Sequence, residues 1–534
     1  MTRGLLEDRR TLWVVAALIF LLFAIANLPW QLDDYDQAKQ AFTSFEMIKE
    51  RHWLYQHTPH ERVATKPPLV GWISAALFVV THSWEVAWRL PSLVAALALA
   101  IVLFRAAKEA YGKVAAVIAL GAFGLNLVSP RLATLVRTDM PLALVIFLIG
   151  LLIWEKIRGG CEWKLRDQVY VFVLLTAAML IKGPIVYAFL LPGIAFFQLR
   201  RGRARPLATA EPVHSGGGPG APNTKAGSAW PGSWPWIVSL GIFLIWVAGG
   251  IRFQPGFYDE VVMREFVGRF GETIHRPQPL LFYLPHLLHK FAPWSVLIIA
   301  FAIGHTVTDA RKLDGLKPSS LRLRGWVKLS PETFWLLCWS VSGLIVMSLI
   351  PSKRVDRIFP VIPPLCLLFA AQVAPRNFCS HGPASVSSRS IDPDETAHRA
   401  VATRTALTRF YRWSAIALGV AILFTGSYTG WKVITGYRDH RNALAVFGRN
   451  VRHKAEARRW RYEIVSAKDE GLLLYLQKTH FVEPQRAVTE WNNGNLDALV
   501  ASTKKAKTLM PRLRDAVVSE RDAVQPLDYI LITR

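Results

Sequence analysis

Acidic and cationic side chains stand at the ends of long apolar runs in this chain, or in the short turns between them. They are Asp36, Lys66, Asp139, Lys182, Lys353 and Arg354. An ionisable group near the hydrocarbon boundary of a bilayer costs free energy, so several that converge point to a functional site. The chemistry suited to such a set is definite. Fixed cations stabilise negative charge that develops on a departing group, and a positioned carboxylate takes a proton from an attacking hydroxyl. Lys66, Lys182, Arg269, Lys353 and Arg354 are candidates for the first role. Asp36 is the candidate for the second, with Asp139 as a further catalytic carboxylate.

Each of these residues also has a plain structural reading. Lys66 and Lys182 are long enough to snorkel to the interface. Asp139 precedes Met140 and Pro141, a good helix start, and Asp33, Asp34 and Asp36 suit a solvated face. What favours a site is their shared side in the threading given below. Short lysine-bearing hairpins there run against the usual charge bias, and an anionic ligand such as phosphate accounts for their retention.

The elements that position these groups are membrane spans. The chain has 534 residues, 52% of them hydrophobic and only 19% charged, and apolar runs of spanning length recur from Thr11 to Trp431. The net charge of +25 is spread between the runs. It forms no stripe with interleaved aromatics, so membrane phospholipid, not nucleic acid, is the expected partner. Cys161, Cys338, Cys366 and Cys379 show no metal-ligand spacing, two of them lie in apolar runs, and no disulfide framework is expected. Residues 1–10 lead into an apolar run with no small-residue cleavage site, which reads as a retained first span.

Basic loops mark the cytoplasmic side and place the N-terminus inside. A first span at 11–30 leads to a polar outer loop, 31–68. The apolar piece 69–81 is too short for a full crossing and suits an interfacial or re-entrant helix. Further spans are expected at 88–107, 114–130, 140–157, 169–181, 184–199, 235–251, 280–308, 332–350, 358–374 and 413–432, with inner linkers at 200–233 and 375–410. That gives about eleven crossings, or about 11 to 13 transmembrane helices. Residues 433–534 read as a soluble α/β domain on the outer side. "RYEIVSA" and "DYILITR" have strand composition there, and "EGLLLYLQK" and "LDALVASTKKAK" read as helices. The expected class is an all-α polytopic membrane protein over 1–432 with a C-terminal soluble α/β domain over 433–534.

Short motifs carry a resemblance. They are Asp-Gln-Ala-Lys at 36–39 with Trp53 following, Lys-Pro-Pro at 66–68, Arg-Leu-Pro-Ser at 89–92, Arg-Thr-Asp-Met-Pro-Leu at 137–142 and Lys-Gly-Pro at 182–184. Arg-Pro-Gln-Pro at 276–279 with Tyr283, Leu284 and Pro285, Pro-Trp-Ser at 293–295, and Ser-Lys at 352–353 complete the series. In this order the chain resembles, from about residue 12 to 375, the protein-mannosyltransferase-like membrane glycosyltransferases of GT-C fold. That family uses lipid-phosphate-linked sugars and includes the bacterial transferase that adds aminoarabinose to lipid A.

The resemblance implies that Asp36 is catalytic and that Lys66, the Asp139 of Arg-Thr-Asp and the Lys353 of Ser-Lys serve the site. Two positions depart from the family pattern: Gln37 and Thr65 each stand where Glu is usual. The expected donor is a sugar on a polyprenyl (undecaprenyl) phosphate, and the expected acceptor is lipid A, another envelope glycan or a protein. Lys66, Lys182, Arg269, His275, Arg276, Tyr283, Lys353 and Arg354 are the expected contacts to donor phosphate or acceptor. Because phosphate is already a good leaving group, a second carboxylate is not needed and single displacement with inversion is expected. The site would face the periplasm or exterior from the cytoplasmic membrane. This chemistry requires no cofactor, and a divalent metal is compatible with it.

His52, His57 and His60 match no standard metal spacing and read as solvated, and Asp34-Tyr35-Asp36 is too short a pattern to carry weight. The alternative function is a transporter or flippase of a lipid-linked saccharide. That reading expects mid-membrane charges and matched halves, neither of which the sequence has. A glycan ligase or polymerase would share the architecture but use an oligosaccharide diphosphate donor.

Overall fold

The computed structural model describes residues 6–32, 35–203, 228–269, 277–297, 299, 330–373, 393–465, 470–521 and 528–534. Asp33, Asp34, His275, Arg276, Cys379, residues 204–227 of the linker 200–233 and 375–392 of the linker 375–410 lie outside the described residues, as does most of the second half of the 280–308 span.

Helix α1, Arg9–Ile25, is capped by Asp8, whose carboxylate accepts the Arg10 amide at 3.2 Å. The expected outer loop, 31–68, contains a polar helix, α2, Tyr35–Lys49, then an irregular loop that leads to the apolar α3, Leu69–Thr81. At 13 residues α3 has the length expected of a helix that does not cross. Helix α4, Trp84–Tyr111, is long enough to span, and α5, Lys113–Gly124, is not. The expected span 114–130 is in fact broken after Gly124. Asn126 explains the break: its carboxamide donates to the Ala122 and Phe123 carbonyls and accepts the Val128 and Ser129 amides. One side chain thus closes α5 and starts the short α6, Ser129–Ala133.

Helices α7, Asp139–Gly159, and α8, Leu165–Lys182, form an antiparallel hairpin, so the start of one and the end of the other share one end of the bundle. Gly183, at φ +73°, ends α8 in a conformation that favours glycine, and the chain turns back into α9, Ile185–Arg203. Then come α10, Trp234–Phe253, a π-helical turn, Tyr258–Phe266, and α11, Tyr283–Lys290. Helices α12, Pro331–Leu349, α13, Ile362–Val373, and α14, Pro393–Arg438, complete the bundle. The second half of the expected linker 375–410 is helical from Pro393, so α14 runs unbroken for 46 residues. Among the described residues six helical segments are long and apolar enough to cross a membrane. The chain is a membrane protein.

Close contact between α7 and α12 depends on one missing side chain. Trp335 Nε1 donates to the Gly150 carbonyl at 3.1 Å, and the ring of Trp339 lies against the Gly150 Cα, where a Cβ would overlap the indole. Gly150→Ala is therefore expected to lower stability by roughly 1–3 kcal/mol, because both tryptophans are fully buried and the added Cβ overlaps the Trp339 ring. Thermal unfolding in detergent measures it. An unchanged midpoint would contradict this packing.

After α14 comes α15, Ala443–Arg458, then a four-stranded sheet in the order β1-β2-β4-β3. The strands are β1, Tyr462–Ile464, β2, Ala498–Ser502, β3, Val517–Arg521, and β4, Tyr529–Thr533. The β1 and β2 pair is parallel, and β2–β4 and β3–β4 are antiparallel. Helix α16, Glu470–Leu476, and α17, Pro484–Asn492, fall between β1 and β2. The stretch "LDALVASTKKAK", read as helix from sequence, divides. Ala498–Ser502 is a central strand, buried on both faces, and only Thr503–Leu509 is helix (α18), capped by Ser502. A short apolar run without alternation is the pattern that periodicity cannot assign.

This C-terminal region packs on α2. The Leu32 amide donates to Tyr475 Oη at 2.8 Å, the Leu444 amide donates to Gln31 Oε1 at 3.1 Å, and Phe42, Phe45, Trp84 and Trp88 share one apolar cluster with Leu472–Leu476. It therefore sits at the same end of the bundle as α2.

Candidate active site

Asp36 lies in the first turn of α2. Its carboxylate is partly exposed and forms an ion pair with Arg354, from the turn after α12, and a longer contact of 3.7 Å with Arg137 Nη2. Arg137 is buried just before α7, and its Nη1 lies 2.5 Å from Asp356 Oδ2. Two acids and two guanidiniums thus alternate across three distant segments. Burial alone would raise the Asp36 pKa, but Lys66, Arg354 and Arg137 outweigh it and hold the carboxyl below its usual range.

Lys66 lies in the loop just before α3. It is largely withdrawn from water, which pushes its pKa down to about 8, although Asp36 and Asp139 pull the other way. Lys182 and Lys39 add to the depression as neighbouring cations. A cation in that state gains charge stabilisation from any further anion that arrives.

Asp139 does not act as a helix cap. Its carboxylate forms an ion pair with Lys182 across the α7/α8 hairpin, which replaces both the capping and the snorkelling readings of these residues. Asp36, Lys66, Asp139, Lys182 and Arg354, drawn from distant parts of the chain, form one electrostatically coupled cluster at one end of the bundle.

The other candidates are placed differently. Lys353 is buried and donates to the Gln278 carbonyl at 3.0 Å, while Tyr283 Oη accepts the Arg354 amide at 3.4 Å. Both contacts brace the turn that presents Arg354. Arg269 ends the short turn Val267–Arg269, and its side chain lies outside the described residues.

Sequence reasoning missed Arg137 and Asp356. Arg137 was visible within Arg-Thr-Asp, but nothing in the spacing pairs it with a residue 219 positions away. It also missed Glu265. Thr65, at one of the two positions lacking Glu, donates its hydroxyl to Glu265 Oε1 at 3.1 Å and accepts from Lys39 Nζ at 3.3 Å. A carboxylate from the π-helical turn therefore stands beside the residue preceding Lys66.

Behind α2 lies a second feature. Gln37, whose Oε1 accepts the Val136 amide at 3.3 Å, forms part of the wall of a cavity of about 390 Å³. Arg89, Arg131, Lys290, Lys432 and Arg441 also line it, and among the described residues no carboxylate does.

Residues 65–216 match the family model of the dolichyl-phosphate-mannose-protein mannosyltransferases. The chain resembles the protein-mannosyltransferase-like membrane glycosyltransferases. The undecaprenyl phosphate-α-4-amino-4-deoxy-L-arabinose arabinosyl transferase 1 of Sodalis glossinidius is 30% identical over 136 residues, 25% of this chain. The corresponding transferase of Pectobacterium atrosepticum is 28% identical over 141 residues, 26% of this chain. These alignments span only 21% and 22% of the two relatives' own lengths. The fold extends further than the sequence match. The structure of ArnT from Cupriavidus metallidurans bound to undecaprenyl phosphate aligns over 98% of this chain and 97% of its own, with a TM-score of 0.64 at 18% identity. The GT-C-type membrane fold is shared along nearly the whole chain.

Proposed function

We propose that this protein is a glycosyltransferase that moves a monosaccharide from a polyprenyl (undecaprenyl) phosphate to an acceptor at the outer face of the cytoplasmic membrane, by single displacement with inversion. The observation that carries this reading is the convergence of Asp36, Lys66, Arg354 and the Asp139–Lys182 pair on one end of a GT-C-type bundle. The undecaprenyl phosphate named for the Cupriavidus structure supports the donor class.

In this reading each group has a role. The donor phosphate binds between Lys66 and Arg354, and in doing so it displaces Asp36 from Arg354. The bond from the anomeric carbon to the phosphate oxygen then breaks, and the electron pair leaves with the prenyl phosphate. Lys66 and Arg354 neutralise that charge as it grows. The acceptor oxygen attacks from the opposite face, and its proton passes to the carboxylate of Asp36. Asp139 keeps Lys182 oriented beside Lys66. The cavity behind Gln37, lined by five cations, supports an anionic acceptor such as a phosphate-bearing envelope lipid; if a phosphate oxygen attacks, no proton moves and Asp36 balances charge. Mass spectrometry of envelope lipids and glycoproteins, with and without the protein, identifies the modification by its sugar mass. Identical spectra would refute the transferase reading.

Lys66 makes the reading pH-dependent. Its pKa lies near 8 in the free protein, so donor affinity is expected to weaken as pH rises through about 8, well before an ordinary lysine would titrate. Bound phosphate raises that pKa, so the fall in kcat at saturating donor lies at higher pH than the fall in kcat/KM. Lys66→Arg keeps its charge and is expected to remove the alkaline loss. A profile of kcat/KM that stays flat to pH 10 in the wild type would remove Lys66 from the donor site.

A further inference from the structure

A second cluster lies at the far end of the helix that begins with Asp36. Glu46, near the C-terminal end of α2, is buried, and its Oε1 lies 2.5 Å from His52 Nδ1 and 3.3 Å from His57 Nδ1. The two Nδ1 atoms are themselves 3.3 Å apart. From sequence alone the histidines read as solvated, because no spacing rule ties them to an acid on the preceding helix. His60, the third of the series, stacks on Phe481 instead, with ring centroids 5.2 Å apart.

Zinc bonds of roughly 2.0–2.1 Å at tetrahedral angles place neighbouring ligand atoms about 3.3 Å apart. Two of the three edges here already have that length. The third, between Glu46 and His52, opens when a metal replaces the hydrogen bond. An independent sign comes from the other carboxylate oxygen: Glu46 Oε2 is buried and has no hydrogen-bond partner among the described residues. A buried acceptor left unsatisfied costs roughly 1–3 kcal/mol, and a cation at the cluster offsets that cost through the shared carboxylate charge. Two imidazoles and one carboxylate form a donor set common at zinc, and the 47% exposure of His52 leaves a solvent-facing position for water.

We infer that Glu46, His52 and His57 bind one zinc ion. Its role is positional. The loop from His52 returns through a bridge between His57 and Val63 to Lys66, so the metal staples that loop to the helix that carries Asp36. The ion thereby fixes the separation of Lys66 from Asp36 without touching the reacting atoms. Metal binding stands independently of the transferase reading, and its test needs no substrate.

Full-length protein in detergent, stripped with chelator, is titrated with zinc by calorimetry and then with cobalt by visible absorption. One zinc per chain and the intense band of tetrahedral cobalt are the expected results. Glu46→Gln and His57→Ala each weaken zinc binding by more than the roughly 10- to 100-fold that loss of an outer-shell partner costs. His60→Ala binds as the wild type does. Limited proteolysis within residues 50–62 is slower with zinc in the wild type. Failure of the stripped wild type to take up zinc at micromolar concentration overturns the proposal, as does unchanged affinity in both Glu46→Gln and His57→Ala.

Discussion

Asp36→Asn is expected to reduce sugar transfer by roughly 10²–10⁴-fold, the range that a positioned acid or base supplies, while leaving donor binding intact or tighter. The split between the two effects follows from charge. Asp36 faces Arg354, Arg137 and Lys66. Replacing it with a neutral amide of the same shape leaves those cations with one fewer counter-ion, and a prenyl phosphate gains from the difference. Turnover falls because the amide neither accepts the acceptor proton nor balances the cations once the phosphate departs. A mutation that merely loosened the fold would weaken donor affinity and kcat together. Asp36→Glu separates the two chemical roles: it keeps the charge but moves the carboxylate by about one methylene, so a proton-transfer role suffers more than an electrostatic one. The lowered pKa of Asp36 also places the acid limb of the pH profile below the usual carboxylate range. Single-turnover transfer and donor titration on the same preparations measure both quantities. Normal turnover by Asp36→Asn would remove Asp36 from the reaction.

The sequence made the membrane class and much of the candidate site legible because both rest on local signals. A long apolar run identifies itself, and a lysine beside Pro-Pro or Gly-Pro at the end of such a run is conspicuous wherever the chain later folds. Asp36, Lys66, Asp139, Lys182 and Arg354 could therefore be named singly. What no local signal carries is pairing. Asp139 reads as a cap until Lys182 is seen across the hairpin, and Arg137 reads as a loop residue until Asp356 stands against it. Glu46 lies amid a polar helix and acquires meaning only from the two histidines that fold back on it. The same limit explains the errors in the elements. Asn126 stops α5 through hydrogen bonds to its own backbone, a polar residue too small to interrupt a hydropathy profile. Ala498–Ser502 is a strand because β1 and β4 flank it, which its composition does not specify.

Arg137→Met is expected to cost about 3–5 kcal/mol of stability, the range for breaking a buried ion pair by removing one partner. The guanidinium is 7% exposed and the Asp356 carboxylate 11%, so solvent screening is slight at this pair. The loss is largest at Asp356, which keeps its burial and loses its closest cation. Asp36 loses a more distant one and retains Arg354 and Lys66. Removing both charges of the buried pair should therefore be milder than removing one. Arg137→Met combined with Asp356→Leu is expected to recover most of the stability, and the recovered part is the coupling energy of the pair. The double variant still lacks one cation beside Asp36, so its carboxyl titrates closer to the ordinary range and the acid limb of the rate profile moves to higher pH. Stability follows the same sign: what Asp36 contributes through its ion pairs is present above the ordinary carboxylate pKa and fades as pH falls through the lowered value. Denaturant unfolding in detergent gives the first quantity and the pH profile the second. A double variant with wild-type stability and a shifted acid limb assigns Arg137 both tasks; one with an unmoved limb confines it to holding the turn that carries Asp356.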